Sequence, residues 1–276
     1  MNYLKLQILL LLKRKSFIIT LSSMMIFSML VFILNCIEFF NNDIVSVKSA
    51  KYLYMGSDFS FASIILTILL PIISVLPFSD TFYEEHQKGT DIYCITKSSL
   101  NIYYFSKLLV AFFSGFIVVF TPLFVNYLLN LIAFPIDSTI DATGFSFYCS
   151  YLYADVMETG LFQNLFANNM YLYNFVYLIL LSLFSGQIST IVFQFSYYYN
   201  KSRVILICSF FAIYNVMLPL LKSFGLDEFC IDNYIFAAKF YSGQTLRGLI
   251  ITFAIMILLI IFLIPITRYK ATKSYE

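Results

Sequence analysis

A chain of 276 residues that is 61% hydrophobic and 12% charged carries about half the charge of an average soluble domain, which runs near 25%. It has too little polar surface to cover a water-facing fold. A bilayer removes that need, so an ordinary soluble domain is excluded and an all-α integral membrane protein is expected. The net charge of +2 is small, and no nucleic-acid partner is expected.

A spanning helix needs about 20 apolar residues to cross roughly 30 Å of hydrocarbon. The chain opens with an apolar piece, 3–12, that ends at Lys13-Arg14-Lys15. It reads as an amphipathic helix along the inner leaflet with its basic cluster at the headgroups; the other reading is that it extends the first span. Six spans follow, at 16–37, 59–79, 108–136, 170–199, 204–221 and 248–267, in one transmembrane domain over 1–276. The apolar run at 16–37 exceeds the 7–15 residues of a signal-peptide core, and no small-x-small cleavage site follows, so it is a span. With 32 Phe, 22 Tyr and no Trp, tyrosine fills the interfacial role that Tyr and Trp usually share.

An even number of spans puts both termini on one side. With that side cytoplasmic, the inner segments hold Lys5, Lys13, Arg14, Lys15, Lys88, Lys97, Lys107, Lys201, Arg203, Arg268, Lys270 and Lys273. The outer ones hold Lys48, Lys51, Lys222, Lys239 and Arg247. A split of 12 to 5 favours cytoplasmic termini under the positive-inside rule, in a multi-pass plasma-membrane protein. The outer segment 137–169 has no Lys or Arg, and 155–168 places Val156, Met157, Leu161, Phe162, Leu165 and Phe166 near helical spacing. A lateral amphipathic helix is expected there.

Little here carries enzyme chemistry. His86 is the one histidine, and no GxxxxGK[ST] phosphate loop occurs, so a His-rich metal site, an HExxH centre and nucleotide hydrolysis are not expected. No metal and no cofactor is expected in the chain. The acidic pairs Glu84-Glu85 and Asp227-Glu228 lie between spans and read as solvated loops. Cys36, Cys94, Cys149, Cys208 and Cys230 show no CxxC spacing and read as free thiols; a pair between Cys149 and Cys230 is the alternative. No full charge sits at mid-span, which argues against ion-driven transport. Whatever moves this membrane domain is expected to act from outside it.

Uncharged polar groups are patterned instead. Ser182, Gly186, Thr190 and Gln194 recur every four residues in span four, with Ser185 and Ser189 beside them. Asn126 and Asn130 lie one turn apart in span three. Such faces either pack helices closely or line a substrate path. Pro71, Pro77, Pro122 and Pro219 are candidate kinks. Between spans two and three, 80–99 reads as a cytoplasmic turn. Span two continues through Glu84 and Lys88, an i,i+4 pair; Gly89 ends it in the left-handed conformation; Ser98 or Ser99 caps the next helix.

In order, these features resemble the type-2 ATP-binding-cassette transporter permeases. The resemblance rests on the short amino-terminal helix, the six spans and the loop Glu84-Glu85, Lys88-Gly89-Thr90, an apolar stretch at 92–95 and Lys97-Ser98-Ser99. Asn168-Asn169 with Tyr171 and Tyr173, and Asn200-Lys201-Ser202-Arg203, are similar too. Lys88 stands where that family has Arg, and the turn lacks the family's proline. The resemblance implies a non-catalytic permease subunit of an ATP-driven exporter. It would pair with a second permease chain, identical or different, above two cytosolic subunits that bind ATP and Mg. Asp80, Glu84, Glu85, Lys88, Gly89 and Thr90 would then belong to the coupling segment. The substrate would be hydrophobic or amphipathic, such as a peptide antibiotic, a lipid-linked molecule or a drug. A scaffold, sensor or immunity factor is the alternative.

Overall fold

The computed structural model describes residues 3–43, 47–56, 61–90, 99–137, 160–199, 202–235, 237 and 245–273. Among them it is all-helical. The helices are α1 (Tyr3–Lys13), α2 (Lys15–Glu38), α3 (Ala50–Leu53), α4 (Phe61–Val75), α5 (Thr81–Lys88) and α6 (Leu100–Ala133). Then come α7 (Gln163–Asn168), α8 (Met170–Phe195), α9 (Arg203–Ser223), α10 (Asp232–Ile235) and α11 (Leu246–Lys273), with a 3-10 turn at Asp227–Phe229. The segment 91–98, Cys94, Cys149 and 155–159 lie outside the described residues.

Five helices, α2, α6, α8, α9 and α11, are long and apolar enough to cross a membrane, as in a multi-pass membrane protein. Their bounds follow the apolar runs closely. Helix α6 begins earlier than its apolar run, because Ser99 accepts a hydrogen bond from the Ile102 N–H and so satisfies a free helix-start donor. Asn169 does the same for α8 through the Leu172 N–H at 3.1 Å.

The second apolar stretch behaves differently. Its helix, α4, has 15 residues, about 22 Å of rise, and gives way to a turn at 76–80 before α5 begins. The expectation of one helix running from span two through Lys88 is therefore corrected. Pro77 has no N–H to donate back to the preceding turn, and its ring crowds the carbonyl four residues earlier. Past the break, Gly89 ends α5 at φ 65°, its N–H reaching the Glu85 and His86 carbonyls, as expected of a left-handed cap.

Helix α1 is distinct from α2. Arg14 between them has extended backbone, φ −73° and ψ 124°, which settles against a single extended first span. Gln7 and Leu11 are buried, while Ile8, Leu9, Leu10 and Leu12 are exposed. Of the lateral helix expected at 155–168, residues Gln163–Asn168 form α7, while 160–162 are not helical and Phe162 stands in the left-handed region at φ 58°.

Helix α8 is the axis. Helix α6 lies along it and carries α2 on its other flank, α4 and α11 pack on α8 as well, and α9 rests on α4. The end of the bundle holding Arg14 and α5 is termed the near end, and the end holding α3 the far end.

Candidate functional site

At the near end two cations anchor α5. Arg14 places its guanidinium 2.7 Å from Asp80 and 3.2 Å from Glu84, and its Nε donates to the Ser16 hydroxyl at 2.7 Å. The Asp80 side chain is fully buried. Glu84 thus turns to Arg14 rather than to Lys88, correcting the expected i,i+4 pair: the break at 76–80 brings α5 against the α1–α2 junction. Glu85 faces the other way. Its carboxylate takes the Lys107 ammonium at 2.6 Å and the Tyr103 hydroxyl at 2.7 Å, both from α6. The Lys107 side chain is fully buried.

Glu84-Glu85 is therefore a bridge between two helices, not a solvated pair. Removing one partner of such a buried ion pair costs about 3–5 kcal/mol. The acidic half of the expected coupling segment is spent inside the fold. Its exposed tip is Gln87, Lys88, Gly89 and Thr90.

Ser182, Gly186, Thr190 and Gln194 are buried in contacts within the chain, as are Ser185 and Ser189. A methyl added at Gly186 would stand 2.9 Å from the Phe112 carbonyl; one at Gly115 would stand 2.8 Å from the Ser185 carbonyl and the Ser189 Cβ. Small residues thus let the α6 and α8 backbones touch. The Ser185 hydroxyl donates to the Gly115 carbonyl at 2.8 Å and lies 2.7 Å from the Ser74 hydroxyl. Ser79, in the break, donates to the Ser189 carbonyl at 2.9 Å. Gln194 donates to the Tyr104 hydroxyl at 3.1 Å and the Ile260 carbonyl at 3.0 Å, tying α8 to α6 and α11. Thr190 and Ser182 bond back to their own helix, to the Gly186 and Leu178 carbonyls.

Asn126 and Asn130 are buried at the far end, where they hold the backbone of neighbouring segments. Asn126 accepts from the Met55 N–H at 3.3 Å and donates to the Ser28 carbonyl at 2.9 Å. Asn130 donates to the Asn126 carbonyl at 2.8 Å. Asn35 on α2 and Asn174 on α8 donate to the Leu53 and Lys51 carbonyls at 2.9 and 2.8 Å. Asparagines from three long helices thus clamp the backbone around α3. Tyr54, buried with its ring edge-on to Tyr127 at 5.5 Å, plugs the space between. Burial pushes the Tyr54 hydroxyl far above the ordinary tyrosine range.

Several of these residues carry no signal at the sequence level. Arg14 reads as one headgroup cation among three, and nothing local pairs Lys107 with Glu85. Gly115 is legible: Ala111 and Gly115 form a small-xxx-small pair in span three. Among the described residues no group of three metal-ligating side chains converges.

A further feature has no counterpart in any sequence pattern. A cleft of about 600 Å³ opens between α8, α9 and α11. Its floor is Phe184, Ile188, Ile191, Val192 and Leu206, all buried, and its rim includes Phe195, Ile205, Ile213 and Met217, all exposed.

The fold and these features define an all-helical protein of the multi-pass membrane type, with a tightly joined core and an open apolar flank. No known protein family, curated protein or solved structure matches the chain.

Proposed function

We propose that the chain is the membrane-spanning permease subunit of an ATP-driven exporter in the cell membrane. The observation that carries this reading is the mounting of α5. A short helix fixed through Arg14 to the α1–α2 junction and through Lys107 to α6 presents its free tip at 87–90. A push on that tip reaches two long helices at once, which is what coupling to a separate ATPase requires.

On this reading the chain crosses the bilayer six times. Helix α4 and the turn after it make the second crossing: residues 61–79 rise about 28 Å if near-helical, close to the hydrocarbon thickness. The basic bias places the near end and both termini in the cytoplasm, and the exposed leucines of α1 rest in the inner leaflet. Two cytosolic subunits bind ATP and Mg, a second permease chain completes the pathway, and the substrate is hydrophobic or amphipathic. Docking falls to Gln87, Lys88, Gly89 and Thr90, while Asp80, Glu84 and Glu85 stiffen the mount.

The test is co-expression with ATPases encoded beside the gene. Copurification of one, with ATP hydrolysis lowered by Gly89→Pro or Lys88→Glu in a folded chain, is expected. A stable chain that retains no ATPase would overturn the reading in favour of a scaffold, sensor or immunity factor.

A further inference from the structure

The basic cluster Lys13-Arg14-Lys15 does not act as one patch. Arg14, between two helices, has extended backbone, and along extended chain successive side chains point to opposite sides. Its guanidinium turns inward to Asp80 and Glu84 and is 14% exposed, which leaves Lys13 and Lys15 turned outward, both exposed. Lys5, about two turns back along α1, is exposed as well. The nearby carboxylates are already committed, Asp80 and Glu84 to Arg14 and Glu85 to Lys107. Among the described residues no carboxylate pairs with Lys5, Lys13 or Lys15.

What surrounds these lysines decides between a membrane and a soluble partner. Leu9 and Leu12, on the same outward face of α1 as Lys5 and Lys13, are 44% and 54% exposed. Tyr3 seats the start of α1 against Tyr103, with ring centroids 6.1 Å apart. Beyond the junction α2 exposes Ile18 and Ile19 and runs on as a helix long and apolar enough to cross a bilayer. The lysines therefore stand where acyl chains give way to headgroups, their stems along apolar surface and their charges in water. An acidic soluble protein would reach them only by also covering leucines that acyl chains cover already. The other end of α2 exposes Glu38 and has no cation in its last turn, so the α1–α2 unit is cationic at one boundary only.

We propose that the α1–α2 junction binds anionic phospholipid: Lys5, Lys13 and Lys15 hold the headgroups while Leu9 and Leu12 enter the acyl layer. The site needs only that α2 crosses a bilayer. It requires no ATPase, so it and the permease reading fail separately.

The chain has no tryptophan. Leu12→Trp is therefore a single reporter beside the lysines, and Phe40→Trp, at an 83% exposed position just past Glu38, is its control. Each full-length variant, checked for an unchanged elution profile, is placed in mixed phosphatidylcholine–phosphatidylglycerol vesicles in which one lipid or the other carries dibrominated acyl chains. Quenching of the tryptophan gives the relative affinity of the two lipids at that position. At Leu12→Trp phosphatidylglycerol should be favoured about five-fold, the worth of one lysine at an anionic surface, and at Phe40→Trp the ratio should stay near one. Lys5→Gln, Lys13→Gln and Lys15→Gln together should bring the Leu12→Trp ratio to about one, and about 0.5 M NaCl should lower it without them.

A ratio near one at Leu12→Trp, a ratio that survives the triple glutamine change, or an equal ratio at Phe40→Trp would overturn the site. Failure of both brominated lipids to quench Leu12→Trp would also overturn it, leaving α1 in water and open to an acidic protein. Inorganic phosphate should displace no more phosphatidylglycerol than chloride does at matched ionic strength; a larger displacement would overturn lipid as the occupant.

Discussion

Two flanks of the same helix are built on opposite terms. Toward α6, α8 presents glycine and serine, and backbones meet; toward α9 and α11 it presents Phe184, Ile188 and Ile191, and a cleft remains. Burial follows the difference: 72% of the apolar stretch of α8 lies inside the chain, against 18% for α9 and 6% for α11. In a bilayer, lipid tails are as apolar as leucine, so large aliphatic side chains gain little by facing one another. Close approach and hydrogen bonds bring helices together. The α6–α8 seam has both, and the α9–α11 flank has few of either. The first is a closely joined frame, and the second is an open apolar surface.

If the frame is fixed chiefly at its near end, the largest loss should come there. Arg14→Ala removes the guanidinium that stands 2.7 Å from buried Asp80, and about 3–5 kcal/mol of stability should go, read as a lower unfolding midpoint in detergent. Glu84→Ala removes the more exposed of the two contacts and should cost about 1 kcal/mol or less. Equal losses would mean that the pair at Asp80 is not the anchor.

Next comes the seam itself. Gly115→Ala or Gly186→Ala places a methyl under 3 Å from a backbone carbonyl, where nothing flexible can yield, and should cost about 1–3 kcal/mol. Leu258→Ala on the exposed face of α11 should shift stability by no more than about 0.5 kcal/mol. Thermal unfolding of the three variants side by side sets the contrast, and a Leu258→Ala loss as large as that of Gly115→Ala would erase it.

What can be read from sequence divides along a physical line. The five long helices follow from apolar run lengths, and the Gly89 and Ser99 caps follow from residues within a turn of the helix ends; both are local. The partner of Glu84 does not follow, because i,i+4 pairing assumes a lone helix, and the break at Pro77 hands Glu84 to a cation 70 positions away in sequence. Asn126 and Asn130 are legible as polar residues needing partners. That the partner of Asn126 is the N–H of Met55, in a loop expected outside the bundle, depends on the whole arrangement. The spacing of the small residues in span four is plain, but spacing alone cannot say whether a face meets a neighbouring helix or a pathway. The cleft is a property of where three helices fail to meet, which no single segment encodes.

The mildest probe of the contrast is chemical and leaves the fold intact. Cys230 closes the far end of the loose flank, buried, with its sulfur 3.9 Å from the Leu218 and Leu226 carbonyls. Burial pushes the thiol up to about 11 from an ordinary 9.0; Asp232 pushes the same way, and Lys222 opposes both. The thiolate is the attacking species, and a shift from 9.0 to about 11 leaves about a hundredth of the thiolate of an unshifted thiol near neutral pH. In a chain keeping Cys230 as its sole cysteine, iodoacetamide labelling should be slow at pH 8. It should climb about ten-fold per pH unit, levelling only near pH 11. If the flank opens as a unit, exposing the thiol to water, the profile should level near pH 9 instead, and then α9 rather than the side chains lining the cleft is the moving part. A late plateau would mean that the α9 end stays closed over Cys230.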